Sequence, residues 1–162
     1  MRQAFSLIEL LIAIALSGVM AYTASFYLDI DAISKQNIKT QLQSHFNIIT
    51  SVILQCKEYS NIFPVQSDGS LASTTLISTL DCNTTPTYAL DGGKGSFIPP
   101  ALENFTEYTA TENGSDFYFT TTTTTGSTND DVLLELNSTY SANQYELTDD
   151  GTTTTLNFYL SR

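Results

Sequence analysis

The sequence predicts an α+β fold in which one long N-terminal helix packs against a small antiparallel β-sheet. Residues 10–28 form an uncharged apolar run, and apolar side chains then recur at helical spacing as far as Cys56. After Asp116 the chain becomes rich in β-branched and aromatic residues. Because the helical signal ends before the strand signals begin, the two kinds of element are expected to be segregated along the chain, as in α+β proteins.

Length and charge exclude several classes of function. The 162 residues suit one domain with an appended helix, and seventeen acidic residues against six basic ones give a formal charge of -11. This balance leaves no basic patch to neutralise phosphates, so no nucleic-acid contact is expected. The only histidine is His45, which alone cannot build a zinc site or a catalytic triad. We therefore expect a protein that is not an enzyme.

The apolar run is about long enough to span a bilayer. Between Phe5 and Leu28 the only charged residue is Glu9, while Arg2 precedes the run and acidic residues follow it. Because basic residues stay on the cytoplasmic side, we expect a single-pass orientation with the N-terminus inside and the remaining chain outside. A carboxylate inside a membrane segment is costly, so Glu9 is a functional candidate.

The segment Ala4-Phe5-Ser6-Leu7-Ile8-Glu9-Leu10-Leu11-Ile12-Ala13-Ile14 resembles the prepilin motif of type IV pilins and type II secretion pseudopilins. The resemblance covers about 24 residues. In that family a short basic leader ends in a small residue, an aromatic residue follows, and a Glu stands four positions further on. Ala4 occupies the place where the family usually has Gly, which is a conservative departure because both residues are small.

The resemblance implies that a prepilin peptidase cuts between Ala4 and Phe5 and that Phe5 becomes the N-methylated terminus. It implies that Glu9 is the buried acid that acts in assembly. The partners of the protein would be other pilin or pseudopilin subunits and an inner-membrane assembly platform. The protein would lie in a bacterial inner membrane and then in a periplasmic or extracellular filament, as a structural subunit. We expect a minor subunit, because the sequence lacks the calcium-loop or disulfide-loop features expected of major subunits.

Alternatives remain at this point. Pilus, type II secretion and DNA-uptake systems share this N-terminus. Val19-Met20-Ala21 is similar to a signal-peptidase site, which would make Tyr22 the first mature residue. The chain could also be a single-pass anchored extracytoplasmic adhesin or binding module.

The expected layout has four parts. Residues 1–4 are the leader, 5–28 the transmembrane or filament-core half of the helix, 29–59 its amphipathic half, and 60–162 a globular head. The head is expected to begin with a turn-rich loop and to end in an antiparallel meander. We predict four strands in this meander, at residues 117–125, 132–136, 144–147 and 152–160.

Two cysteines, Cys56 and Cys82, could form one bridge in an oxidising compartment, whereas in the cytosol they would more often stay unpaired. No cofactor is expected. Two acidic pairs, Asp130-Asp131 and Asp149-Asp150, are weak candidates for Ca²⁺, because no EF-hand spacing is present and Asp-rich turns also form for backbone reasons.

Overall fold

A computed structural model describes residues 7–84, 86–91 and 97–161 of the chain. In its first helix, side chains are described at positions 16, 17 and 20 and from 32 onward. The leader, residues 1–4, and Phe5 lie outside the described residues. The chain divides into two compact units, Met1–Asn37 and Ile38–Arg162, and the second unit is called the head below.

Helix α1 spans Leu7–Ser60. It contains no proline and is rich in residues of good helix propensity. It ends because Asn61 adopts a left-handed conformation, with φ of 61°, and its backbone N–H donates to the Lys57 carbonyl oxygen at 2.8 Å. A left-handed residue just past the last turn is a common way to satisfy the final carbonyls of a helix. The predicted end near Tyr59 is therefore one residue short.

The head contains one five-stranded antiparallel sheet and one two-stranded sheet. In the larger sheet the spatial order is β1-β4-β5-β7-β6. Its strands are β1 (Thr75–Leu76), β4 (Thr109–Asn113), β5 (Asp116–Thr124), β6 (Tyr145–Asp149) and β7 (Thr153–Ser161). The smaller sheet pairs β2 (Asp81–Cys82) with β3 (Tyr88–Ala89). A short 3-10 turn, Ile77–Thr79, and helix α2, Thr128–Asn137, complete the described elements. The predicted α+β class is confirmed.

The strand predicted at 132–136 is wrong, because this segment lies in α2. Ser127 caps the helix, and its hydroxyl oxygen accepts from the Asp130 N–H at 3.2 Å. Leu133 and Leu136 are fully buried, whereas Leu134 is 56 % exposed. This burial follows a helical period, while a strand would place 134 and 136 on the same face. Residues 126–130, which separate the strands predicted at 117–125 and 132–136, contain the cap and the first turn of this helix.

The strand order also differs from the predicted meander. The central strand β5 pairs with β7 along its whole length, and α2 lies between β5 and β6 in the chain. Strand β4 falls inside the segment predicted to be turns, and it pairs with β5 through a tight turn at Gly114. In its sequence, Thr-Ala-Thr-Glu-Asn, only the two threonines favour a strand, so its conformation depends on the pairing with β5.

The core of the head forms where α1 meets the inner face of the larger sheet. One face of α1 presents Leu42, Phe46, Ile49, Ile53 and Cys56, all essentially buried. The Phe46 ring packs against Phe119 of β5 and Phe158 of β7, with ring centroids 5.6 and 5.3 Å apart. Since α2 contributes Val132, Leu133 and Leu136 to the same cluster, the sheet edge near β6 is also closed by apolar contacts.

A disulfide joins the end of α1 to the smaller sheet. The Cys56 and Cys82 sulfur atoms are bonded, their Cα atoms lie 5.5 Å apart, and 26 positions separate them in the chain. Both side chains are buried in the core. The bond therefore fixes the turn-rich segment after Ser60, whose own strands are only two residues long, against the helix.

Removing this bond is expected to lower the free energy of unfolding by about 3 kcal/mol, because the reduced unfolded chain regains the entropy of the open loop. The measurement is urea unfolding of the full chain, followed by circular dichroism, with and without a reductant. The double variant Cys56→Ala/Cys82→Ala is the control, since a reductant should not shift its midpoint. Equal midpoints for the oxidised and reduced wild-type chain would contradict the prediction.

Candidate functional site

The N-terminal candidates are only partly within the described chain. Ala4 and Phe5 precede it, so the predicted cleavage and methylation positions lie outside the described residues. Glu9 is the third residue of α1 as described, and its side chain is outside the described part. Its backbone belongs to α1, two positions after the first described residue of the helix.

The described side chains of the first unit leave apolar groups exposed. Leu16 is 56 % exposed and Met20 is 71 % exposed. These residues are four positions apart, so they lie on one face of α1. Ile33, further along the same helix, is 61 % exposed. A single chain therefore leaves large side chains in water that would be more stable against lipid or against another helix.

Within the part of the chain that the structure describes, no helix is both long enough and apolar enough to cross a bilayer.

The acidic residues considered as Ca²⁺ ligands stabilise turns and the start of a helix through hydrogen bonds. Asp130 is buried, and its carboxylate accepts from the Gly126 N–H at 2.8 Å and from the Thr154 hydroxyl at 2.7 Å. Asp150 accepts from the N–H groups of two residues of its hairpin, and these bonds hold the pKa of its carboxyl below the usual range. These carboxylates therefore have structural partners.

Asp149 accepts from the Gly151 N–H at 2.8 Å, and Gly151 has a φ of 85° that suits glycine at this turn. Asp131 lies in the first turn of α2. Within the described residues, no three His, Cys, Asp or Glu side chains come together in a way that could hold a metal ion.

His45 has a defined partner that the sequence did not indicate. Its Nδ1 atom lies 2.9 Å from the hydroxyl of Tyr108, and the two rings meet edge to face. Burial lowers the pKa of the His45 imidazole below its ordinary value. Burial also raises the pKa of the Tyr108 hydroxyl, with the charge of Glu107 as a smaller cause. The pair joins α1 to the segment before β4 as neutral groups.

We expect this pair to make stability depend on pH. Because the folded chain has the lower imidazole pKa, the unfolded chain binds the proton first as the pH falls below about 6.5. The free energy of unfolding should therefore decrease between about pH 7 and about pH 5. Urea unfolding of the wild-type chain and of His45→Gln across this range is the measurement. The variant should lose less stability on acidification, and an equal or larger loss in the variant would contradict the assignment to His45.

Residues 1–21 match the family model described as the prokaryotic N-terminal methylation motif. This match confirms the resemblance of the N-terminal segment, since the motif is the hallmark of type IV pilin-like and pseudopilin-like prepilins. No curated protein and no solved structure matches the chain. The family in which this motif occurs is structural, and the motif implies processing by a prepilin peptidase, membrane insertion and assembly with other pilin subunits.

The methylation motif and the fold agree in their arrangement along the chain. From Leu7 onward the matched segment lies in α1, and the same helix later packs its apolar face on an antiparallel sheet. The chain is therefore an α+β protein that combines a prepilin-type N-terminal motif with a helix packed on an antiparallel sheet, which is consistent with a pilin-like fold.

Proposed function

We propose that the chain is a minor structural subunit of a type IV pilus or of the related type II secretion pseudopilus. It enters the inner membrane as a prepilin, is cut between Ala4 and Phe5, and is methylated at Phe5. The head then lies outside the cytoplasm and the first half of α1 enters the filament core. The observation that carries this proposal is the match of residues 1–21 to the methylation motif at the start of α1.

The exposed apolar side chains of α1 support assembly through helix packing. Leu16 and Met20 are exposed in the single chain, and burying them between neighbouring helices removes apolar surface from water or from lipid. In this proposal the membrane stores the subunit until an assembly platform extracts it. The helices of neighbouring subunits then replace the lipid.

Glu9 sets the register of this packing. Cleavage creates an amine at Phe5, and the carboxylate of Glu9 in an adjacent subunit neutralises it. Paired charges are tolerated in a low-dielectric core, whereas a single unpaired charge is strongly disfavoured. The pairing therefore selects one axial offset between subunits.

The charge of the chain supports incorporation as a minor component. The chain has seventeen acidic and six basic residues, so copies of its head placed side by side would repel each other. The repulsion is smaller when the neighbours of each copy are less acidic subunits. Sparse incorporation among other subunits avoids it.

The first test is the N-terminus of the mature protein, determined by mass spectrometry of material recovered from host membranes. We expect a chain that begins at Phe5 and carries one added methyl group. A chain that begins at Tyr22 would overturn the filament proposal, because ordinary secretion would have removed Glu9 with the signal peptide. An intact Met1 in a host that has the peptidase would leave a plain membrane anchor.

The second test concerns Glu9. The variant Glu9→Ala should insert in the membrane and be cleaved as the wild type is, but its recovery in sheared filaments should fall by about tenfold or more, because the amine of the neighbouring subunit is left unpaired. Glu58→Ala is the matched control, since Glu58 is an exposed carboxylate of the same helix. Normal incorporation of Glu9→Ala would refute the function assigned to this residue.

A further inference from the structure

The outer face of the larger sheet carries one charged side chain along its two central strands, Asp116 at the start of β5. From Tyr118 to Thr124 on β5 and from Thr153 to Tyr159 on β7, the outward side chains are all Thr, Tyr or Asn, and they alternate with the buried residues of the core. They are Tyr118, Thr120, Thr122, Thr124, Thr153, Thr155, Asn157 and Tyr159. In a chain with a formal charge of -11, eight neutral polar side chains on one face form an unusual surface.

Two tyrosines form an aromatic platform at one end of this face. Tyr118 and Tyr159 are directly cross-strand, and their ring centroids lie 4.9 Å apart. Both rings are partly exposed. The Tyr159 hydroxyl donates to Glu146 Oε2 of β6 at 2.6 Å, which fixes the ring against the neighbouring strand. The platform is therefore held in place before any ligand arrives.

Amide and hydroxyl groups surround the platform. The Thr120 hydroxyl donates to Asn157 Oδ1 at 2.8 Å, which orients the Asn157 amide so that its NH₂ group is directed away from Thr120. A cavity of about 290 Å³ is lined by Tyr159 together with Asn143, Gln144, Leu160 and Ser161. This volume is near the lower limit for small-molecule pockets.

We infer that this surface is a binding site for a neutral glycan. A sugar ring has an apolar C–H face, which packs on an aromatic ring, and a rim of hydroxyls that both donate and accept hydrogen bonds. One ring of the glycan stacks on Tyr159, and its hydroxyls reach the amides of Asn143 and Asn157. The neighbouring sugar units lie along the row of threonines between β5 and β7.

The distribution of charge favours a neutral ligand over the alternatives. Acidic glycans and nucleic acids are repelled by the net charge of the chain. A basic peptide would gain more from the charged surfaces of the head than from eight uncharged side chains. Glu146 borders the platform, directly cross-strand from Asn157, and its Oε2 accepts from the Tyr159 hydroxyl. The inference does not depend on filament assembly, because every residue it uses lies in the head.

The test measures binding of three neutral hexasaccharides, maltohexaose, cellohexaose and hexa-N-acetylchitohexaose, to the full chain in a detergent without a sugar headgroup. Saturation-transfer NMR and calorimetry give the affinities. Tyr159→Ala should weaken binding about tenfold, since it removes the stacking ring. Tyr159→Phe keeps the ring and should bind nearly as the wild type does. Asn143→Ala changes an exposed residue of the turn before β6, so it tests the cavity even if Tyr159→Ala fails to fold; it should weaken binding severalfold.

Tyr59→Ala is the matched control, because Tyr59 is an exposed tyrosine at the end of α1, outside this face. Binding of a hexasaccharide that is weakened in Tyr159→Ala and Asn143→Ala but kept in Tyr59→Ala supports the inference. It is overturned if none of the three binds at millimolar concentration, or if the platform variants bind as well as the wild type. Binding of a tetralysine peptide alone, lost in Tyr159→Ala, would overturn it in favour of a basic chain.

Discussion

The packing of one face of α1 against the inner face of the larger sheet supports the rest of the head. Phe46 is central to it, because its ring meets the aromatic rings of both central strands, Phe119 and Phe158. The larger sheet carries most of its length on β5 and β7, and a sheet of this kind is stable only when one face is covered. The helix supplies that cover, and in doing so it leaves the opposite face of the sheet in contact with solvent.

The two faces of the larger sheet are available for different contacts. The inner face of β5 and β7 is committed to the core, so any contact made by the sheet must use the outer face, with its threonines and the Tyr118–Tyr159 pair. The N-terminal part of the same helix carries the methylation motif and exposed apolar side chains. Under the proposals above, one end of α1 serves assembly, the other end builds a scaffold, and the scaffold displays a neutral polar surface.

The pattern of residues along the chain predicted secondary structure correctly where that pattern favoured only one kind of element. The stripe from Leu42 to Cys56 keeps one helical face apolar, β5 is a run of aromatic and threonine residues with high strand propensity, and β7 alternates from Leu156 to Leu160, so their conformations could be predicted. The prediction for residues 132–136 was wrong because Val-Leu-Leu-Glu-Leu is compatible with both the helical and the strand period over so few residues. The cap at Ser127, with Asp130 three positions later, was the signal that could have identified α2.

The sequence by itself determined the prepilin-type N-terminus, the long helix and the α+β class, since each depends on a run of residues close together in the chain. Tertiary structure alone decided the pairing of β5 with β7, the conformation of β4 and the contact of His45 with Tyr108. It also brought Tyr118 and Tyr159 together across 41 positions, as part of the β5–β7 register. Such pairs depend on which strands the core selects as neighbours, and that choice is made by packing between segments distant in sequence.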